Sequence, residues 1–389
     1  MRKLLVISEP NIILGNGCTR NNALNNIMQA YCNYFDEVHY LGPTDDSNID
    51  TFLSNNIYYH PIRGYSKDIY TRFKFYLFTF LYKKEINKII DNIKPDLIQV
   101  RVPSFFSSAI YKVVKEKGIP ITSYIAGEWD EALKLNYKDI PFINFIAKRL
   151  FNSQKQIVSN TIPVCTGDLL KERFAKCDKD CYAFYSTTHN TINKRTKFSH
   201  PAYRILSVGR LEKLKRNEDA IYALSYLLKD SDKYGLTFIG DGIEKENLVE
   251  LVKSLNLENY IHFLGHVSNK KELTQIFETN DILLHTSLSE GTTKVLPEAM
   301  SYGLLPIAVK NVGSNNYILA SNNGYLIEAE NPESIAECIK RYNNLESEIA
   351  AKIIDNCYKY AEEHTLTKEL DKMWGWVFNK IKNENCHKL

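Results

Sequence analysis

Short, continuously apolar runs alternate with longer helical stretches along this chain, and that alternation constrains its fold more than any other feature. The runs KLLVIS, EVHYLG, DLIQVRV, PITSYIAG, TIPVCTG and CYAFY occupy the first half, and YRILSVG, LTFIGDG, IHFLGHV, DILLHTS and LLPIAVK the second. A strand that is apolar throughout needs cover on both faces, which a parallel sheet flanked by helices provides. Two doubly wound parallel-sheet α/β domains are therefore expected. The polar segment STTHNTINKRTKFSHPAY, residues 186–203, separates the two series. It places a first domain at 1–195, a second at 196–365, and a final helix at 366–389 whose Trp374 and Trp376 are available to pack back onto the first domain. In open sheets of this kind ligands sit beyond the carboxyl ends of the strands, so two such domains facing one another would form an interdomain cleft lined by those loops.

Composition removes several alternatives. No apolar run approaches the ~18 residues of a membrane-spanning helix, and the N-terminal MRKLLVISEP is too short and too charged for a secretory leader. A cytoplasmic protein is expected, free in solution or at the inner face of the cell membrane. The eight cysteines include no CxxC pair, so neither a disulfide framework nor a zinc site is expected. The net charge of +3 conceals an asymmetry: residues 1–200 hold 27 Lys and Arg against 19 Asp and Glu, and the remainder 22 against 27. A basic first half suits an anionic partner such as a phosphate-bearing acceptor or a membrane face, and reads equally well as a lysine-rich surface. Residues 70–90, YTRFKFYLFTFLYKKEINKII, combine dense aromatics with Arg72, Lys74, Lys83 and Lys84. That stretch is too short to span a bilayer; it suits either a helix lying on one or a buried helix. No nucleic-acid partner is expected.

The chemistry is to be sought on the loops after the strands. YRILSVGRLEKLKRNEDAIYAL reads as strand, glycine turn and helix, with Arg210 directly after the turn and Lys215 five residues later. A phosphate or diphosphate at that turn would meet backbone N–H groups and two cations, although a solvated helix start would look the same. In SLSEGTTKVLPEAM, Glu290 lies before a small polar turn and Glu298 inside a short helix from about Val295 to Tyr302, closed by Gly303 and tolerating Pro297 in its first turn. The N–H groups of Thr293, Lys294 and Val295 would face anything bound there. Paired carboxylates suit a hydrolase, as acid and base or nucleophile, or a transferase that grips the hydroxyls of an activated sugar while cations neutralise the departing diphosphate. The cationic turn favours the transferase. GNGCTR and GDGIEK each lack the third glycine of a dinucleotide fingerprint, and neither DKD at 178–180 nor DSD at 230–232 follows an apolar strand. No cofactor and no catalytic metal are expected.

With these residues in hand, the second half resembles the retaining GT-B glycosyltransferases of glycosyltransferase family 4, also called glycosyl transferases group 1. The resemblance rests on SVGRLEKLKRNEDAI, LTFIGDGIEKENLVELVKSLNL, IHFLGHVSNKKEL and DILLHTSLSEGTTKVLPEAMSYGLLPIAV, in order, and most specifically on the E-x7-E spacing of Glu290 and Glu298. It implies a GT-B fold of two Rossmann-like domains, with Arg210 and Lys215 on the donor diphosphate, Glu298 on the ribose hydroxyls and Glu290 on the donor sugar as the catalytic carboxylate. It also implies backbone around His266 and Val267 at the base, and Gly291, Thr292, Thr293, Lys294 and Val295 lining the sugar and phosphate. Gly17, in LGNGCTRNNAL, would approach the donor phosphate. The implied reaction moves a hexose from a nucleotide sugar, UDP-linked, to a glycan or lipid-linked saccharide in surface polysaccharide synthesis, with retention and without a metal. Ala126 stands where many relatives carry a histidine, and Thr292-Thr293 replaces a more usual Phe-Gly. Arg101, Glu128 and Asp130 are candidates for the acceptor side. A nucleotide-sugar epimerase and a non-catalytic sugar-nucleotide-binding subunit are the alternative readings.

Overall fold

Leu4, Leu5, Val6 and Ile7 are fully buried, as a run apolar on both faces requires, and they form β1 (Lys3–Ile7) at the centre of a sheet. The computed structural model describes residues 2–9, 22–43, 52–54, 56–62, 69–127, 142–175, 180–196 and 198–386. These fall into two compact units, residues 1–184 with 370–389, and residues 185–369.

In the first unit β1 is joined by β2 (Glu37–Pro43), β3 (Phe52–Ser54), β4 (Ile57–Ile62), β5 (Leu97–Val102), β6 (Ile121–Ile125), β7 (Ile162–Thr166) and β8 (Tyr182–Phe184) in the order β3-β4-β2-β1-β5-β6-β7-β8. All neighbours run parallel except the short edge pair β3 and β4. Strand β4 lacks a continuous apolar run: IYYHPI alternates, and Pro61 would break a central strand. It is accommodated near the sheet edge, where among the described residues β3 pairs only with Ile57 and Tyr58. The final helix, Leu366–Cys386, buries Trp374 completely in this unit, edge-on to Tyr31 and Phe35 with centroids 5.0 Å from each. Trp376 lies 5.4 Å from Tyr182.

In the second unit β9 (Arg204–Val208), β10 (Gly235–Ile239), β11 (Ile261–Phe263), β12 (Ile282–His285), β13 (Leu305–Val309) and β14 (Tyr325–Ile327) form a wholly parallel sheet in the order β11-β10-β9-β12-β13-β14. The chain starts in the middle, builds outward to one edge, returns and builds to the other. Strand order reverses between β9 and β12, where such sheets open a crevice at the carboxyl ends of the strands. In the first unit the reversal lies between β1 and β5.

The division between units falls earlier than the linker composition suggests, at 185 and not 195. Residues 185–195 are tied to the second unit. Tyr185 stacks on Tyr317 at 4.3 Å, His189 bonds the Ala361 carbonyl at 2.8 Å, and the half-buried Arg195 guanidinium donates to the carbonyls of Phe277, Asn280 and Tyr302. A polar segment can belong to a domain when its polar groups end on that domain's orphan carbonyls.

Candidate functional site

The reversal point of the second sheet gathers three titratable side chains. Beyond β9, the 3-10 turn Lys213–Lys215 presents Lys215, and beyond β12 the loop presents Glu290, whose Oε1 pairs with the Lys215 ammonium. His285, the last residue of β12 and 8% exposed at its side chain, brings Nε2 to 3.2 Å from the same oxygen. The two segments are stitched together: Thr286 Oγ1 donates to the Lys215 carbonyl at 2.7 Å, and the Leu288 amide to the Leu214 carbonyl at 2.8 Å. Burial alone would raise the Glu290 carboxyl. The hydrogen bond from His285 and the charge and hydrogen bond of Lys215 outweigh it and hold the group down at about 2. Glu290 is thus an ionised carboxylate with Oε1 doubly occupied and Oε2 available to accept.

Glu298 lies in the helix Val295–Ser301, which ends one residue earlier than the sequence reading, with Gly303 beyond it at φ 70°. Its carboxyl is pushed up by burial, opposed by the Thr188 hydroxyl and the Lys294 charge. Such a group gains by meeting donors that restore what burial removed. The turn between the two glutamates is fixed from behind. Thr293 is 2% exposed and donates to Asn315 Oδ1 at 2.6 Å, while Asn315 donates onward to the Val309 carbonyl at 2.8 Å. Gly313, at φ 51°, allows the loop after β13 to press on that turn, since a Cβ there would stand 2.6 Å from the Gly291 carbonyl oxygen and 3.1 Å from Glu290 Cβ.

The other predicted residues fall as follows. Arg210 does not join Lys215: its side chain is 74% exposed and paired with Glu212 at 2.5 Å. Thr292 is buried, and Gly291, Lys294 and Val295 are half-buried. His266 is exposed on the loop after β11, and Val267 packs partly on the core. Gly240 and Gly242 serve backbone approach. Added Cβ atoms would stand 1.8 Å from the Gly209 oxygen and 2.3 Å from the Leu211 oxygen, so this loop braces the turn that carries Arg210. In the first unit Arg101 ends β5 with its guanidinium 4.1 Å over the Tyr124 ring, and Ala126 follows β6. Beside β5, at the end of β1, Glu9 pairs with Arg72 at 3.0 Å. Glu9 Oε2 and Arg101 Nη1 are buried without a hydrogen-bond partner among the described residues. Gly17, Glu128 and Asp130 lie outside the described residues.

Sequence reasoning missed His285, which reads as the end of an apolar strand; its position directly after ILL, at a strand's carboxyl end, was the available signal. It also missed Gly313 and Glu9. Among the described residues no group of three or more His, Cys, Asp or Glu side chains is arranged to hold a metal ion. No described helix is long and apolar enough to cross a membrane.

Residues 189–360 match the family model described as Glycosyl transferases group 1. An uncharacterized glycosyltransferase of Haemophilus influenzae is 28% identical over 47% of this chain and 50% of its own length. The GtfA subunit of a UDP-N-acetylglucosamine–peptide N-acetylglucosaminyltransferase from Streptococcus agalactiae is 24% identical over 64% of this chain and 48% of its own length. The chain thus spans about half the length of these curated relatives. Among solved structures, Anabaena HepE in complex with UDP-glucose superposes over 98% of this chain and 100% of its own with a TM-score of 0.69 at 15% identity. Two parallel-sheet units with this likeness have the GT-B fold.

Proposed function

We infer that this chain is a group 1 glycosyltransferase which transfers a hexose, with retention of configuration, from a UDP-linked sugar to a glycan or lipid-linked saccharide in surface polysaccharide synthesis. The observation that carries this reading is the Lys215–Glu290–His285 constellation at the reversal point of a sheet within the matched segment. Relatives and neighbours named for UDP-N-acetylglucosamine transfer and for bound UDP-glucose support the donor class.

Each residue has a physical role in this reading. The donor diphosphate competes with Glu290 for the Lys215 ammonium, and Arg210 swings from its exposed pair with Glu212 to meet the same charge. These cations supply the counter-charge as the diphosphate departs. Glu298 accepts hydroxyls of the ribose, which offset its burial. Glu290, kept ionised and oriented by His285, accepts from a hydroxyl of the transferred sugar through Oε2 and stabilises positive charge developing at the anomeric carbon. The bond from that carbon to the diphosphate oxygen breaks as the bond to the acceptor oxygen forms on the same face. The acceptor's proton passes to the departing phosphate oxygen, so no separate base is required.

A thermal-shift panel of UDP, GDP, ADP, NAD and UDP-sugars on wild type and Glu298→Ala tests the donor assignment. A ligand at 100 times its Kd stabilises by about 2.7 kcal/mol, so a uridine-specific shift that the variant loses is expected. A shift with NAD alone, or none, overturns the reading. Nucleotide release from a UDP-sugar without an acceptor product, even when saccharide acceptors are supplied, speaks for the epimerase.

A further inference from the structure

The aromatic stretch at 70–90 divides into an inner and an outer part. In the helix Ile69–Leu77, Phe75 and Tyr76 are 3% and 5% exposed, and Phe75 stacks on Phe106 at 5.5 Å. Thr79 is buried at the start of the 3-10 turn Thr79–Tyr82, where its hydroxyl bonds the carbonyls of Phe75 and Tyr76 at 3.1 and 3.0 Å. That anchored turn drives four large apolar side chains outward: Leu77, Phe78, Phe80 and Leu81 are 43%, 44%, 66% and 68% exposed. Single exposed apolar residues such as Ile349 are ordinary on a soluble surface, but four within five consecutive positions are not.

The surroundings of the tip are cationic. Lys74, Lys84 and Lys88 are exposed and carry no ion pair among the described residues. Lys83 and Lys117 are matched by Glu116 and Asp91, and the exposed Glu85 offsets one further charge, which leaves the rim positive. A second copy docked through the same face would set one lysine rim against another, a like-charge arrangement that opposes association. A bilayer with anionic headgroups complements both features at once, taking the apolar tip into its interfacial zone and the lysines at headgroup level.

We propose that residues 77–81 form a membrane anchor of the first unit, inserted into the interface of an anionic lipid bilayer. The anchor uses no residue of the donor site, so it stands or falls separately from UDP-sugar turnover. The test is co-sedimentation of the full chain with vesicles of phosphatidylcholine, alone or mixed with phosphatidylglycerol. Wild type is expected to bind the mixed vesicles, less so as salt rises. The double variant Phe80→Ser/Leu81→Ser is expected to lose about tenfold or more in affinity with its thermal midpoint unchanged, because both side chains are already exposed. Ile349→Ser should bind as wild type does. Failure of wild type to bind mixed vesicles, or equal binding by the double variant, overturns the proposal. So does a concentration-dependent dimer that the double variant abolishes, which would assign the tip to a second copy.

Discussion

At the reversal point of the second sheet, between β9 and β12, Lys215 and His285 both meet Oε1 of Glu290, while His285 Nδ1 stays buried without a hydrogen-bond partner among the described residues. At the same point of the first sheet, between β1 and β5, Glu9 and Arg101 each keep a buried polar atom without a partner among the described residues. The strand orders are alike, so topology locates a crevice in each sheet without deciding its chemistry. The second is closed on itself by short hydrogen bonds and a pressed glycine loop, the construction expected where one carboxylate must be held ionised in a fixed place. The first leaves a carboxylate oxygen and a guanidinium nitrogen with unspent hydrogen-bonding capacity, which the proposed reading assigns to hydroxyl groups of a saccharide acceptor.

The largest effects should follow from breaking the Lys215–Glu290–His285 cluster. Glu290→Gln keeps the shape and removes the charge, and Lys215→Met removes the counter-ion of the diphosphate. Each should lower kcat/KM for transfer from a UDP-sugar by about 10²–10³-fold, the range seen for a lost electrostatic donor or acceptor at a reacting centre. A steady-state assay on purified variants checks this, and an effect under threefold would remove Glu290 from the chemistry.

The charge of Glu290 also has a signature in stability. Its folded pKa of about 2 lies below the model-compound value of 4.5, so its interactions contribute fully above the unfolded value and are lost as pH falls from about 4.5 toward 2. The contribution is on the order of 3 kcal/mol. Denaturant melts at pH 6 and pH 3 should therefore show a smaller acid-induced loss in Glu290→Gln than in wild type. Equal losses would place the acid sensitivity elsewhere.

Legibility in the sequence followed the same division. Strands β12 and β13 could be read because burial along their whole length leaves continuous apolar runs, whereas β4 alternates. Lys215 and Glu290 were legible because each lies in the loop beyond an apolar strand, Lys215 five residues after Arg210 and Glu290 at E-x7-E spacing from Glu298. That the chain turns Arg210 toward Glu212 was not, since it depends on a rotamer. His285 was hidden by the strand it completes. Gly240, Gly242 and Gly313 are required by backbones distant in sequence, and close approach leaves no local pattern; GDG looked like an incomplete nucleotide fingerprint until Gly209 and Leu211 were found against it. Glu9 lies just beyond β1 and Arg101 is next to last in β5, but their partners come from other elements, Arg72 from a helix and Tyr124 from the neighbouring strand.

Gly313→Ala probes the support of the Lys215–Glu290–His285 cluster. At φ 51° and with the Gly291 oxygen 2.6 Å from the new carbon, either the loop after β13 or the Glu290 turn must shift. The cost should be about 1–3 kcal/mol in stability, read as a lowered thermal midpoint, together with a raised KM for the UDP-sugar. An unchanged KM would show that the turn does not depend on that contact.

The smallest effect is expected at the open cluster. Arg101→Lys retains the positive charge but gives up the planar stacking over Tyr124 and the directed Nη1 donor. Loss of an exchangeable cation–π contact amounts to about 0.5–1 kcal/mol, a small change in thermal midpoint. If the two reversal points divide the work as argued, the UDP-induced thermal shift of Arg101→Lys matches wild type, while its KM for a saccharide acceptor rises severalfold. A loss of UDP binding in this variant would break the comparison, because a residue at the end of β5 would then be serving the donor.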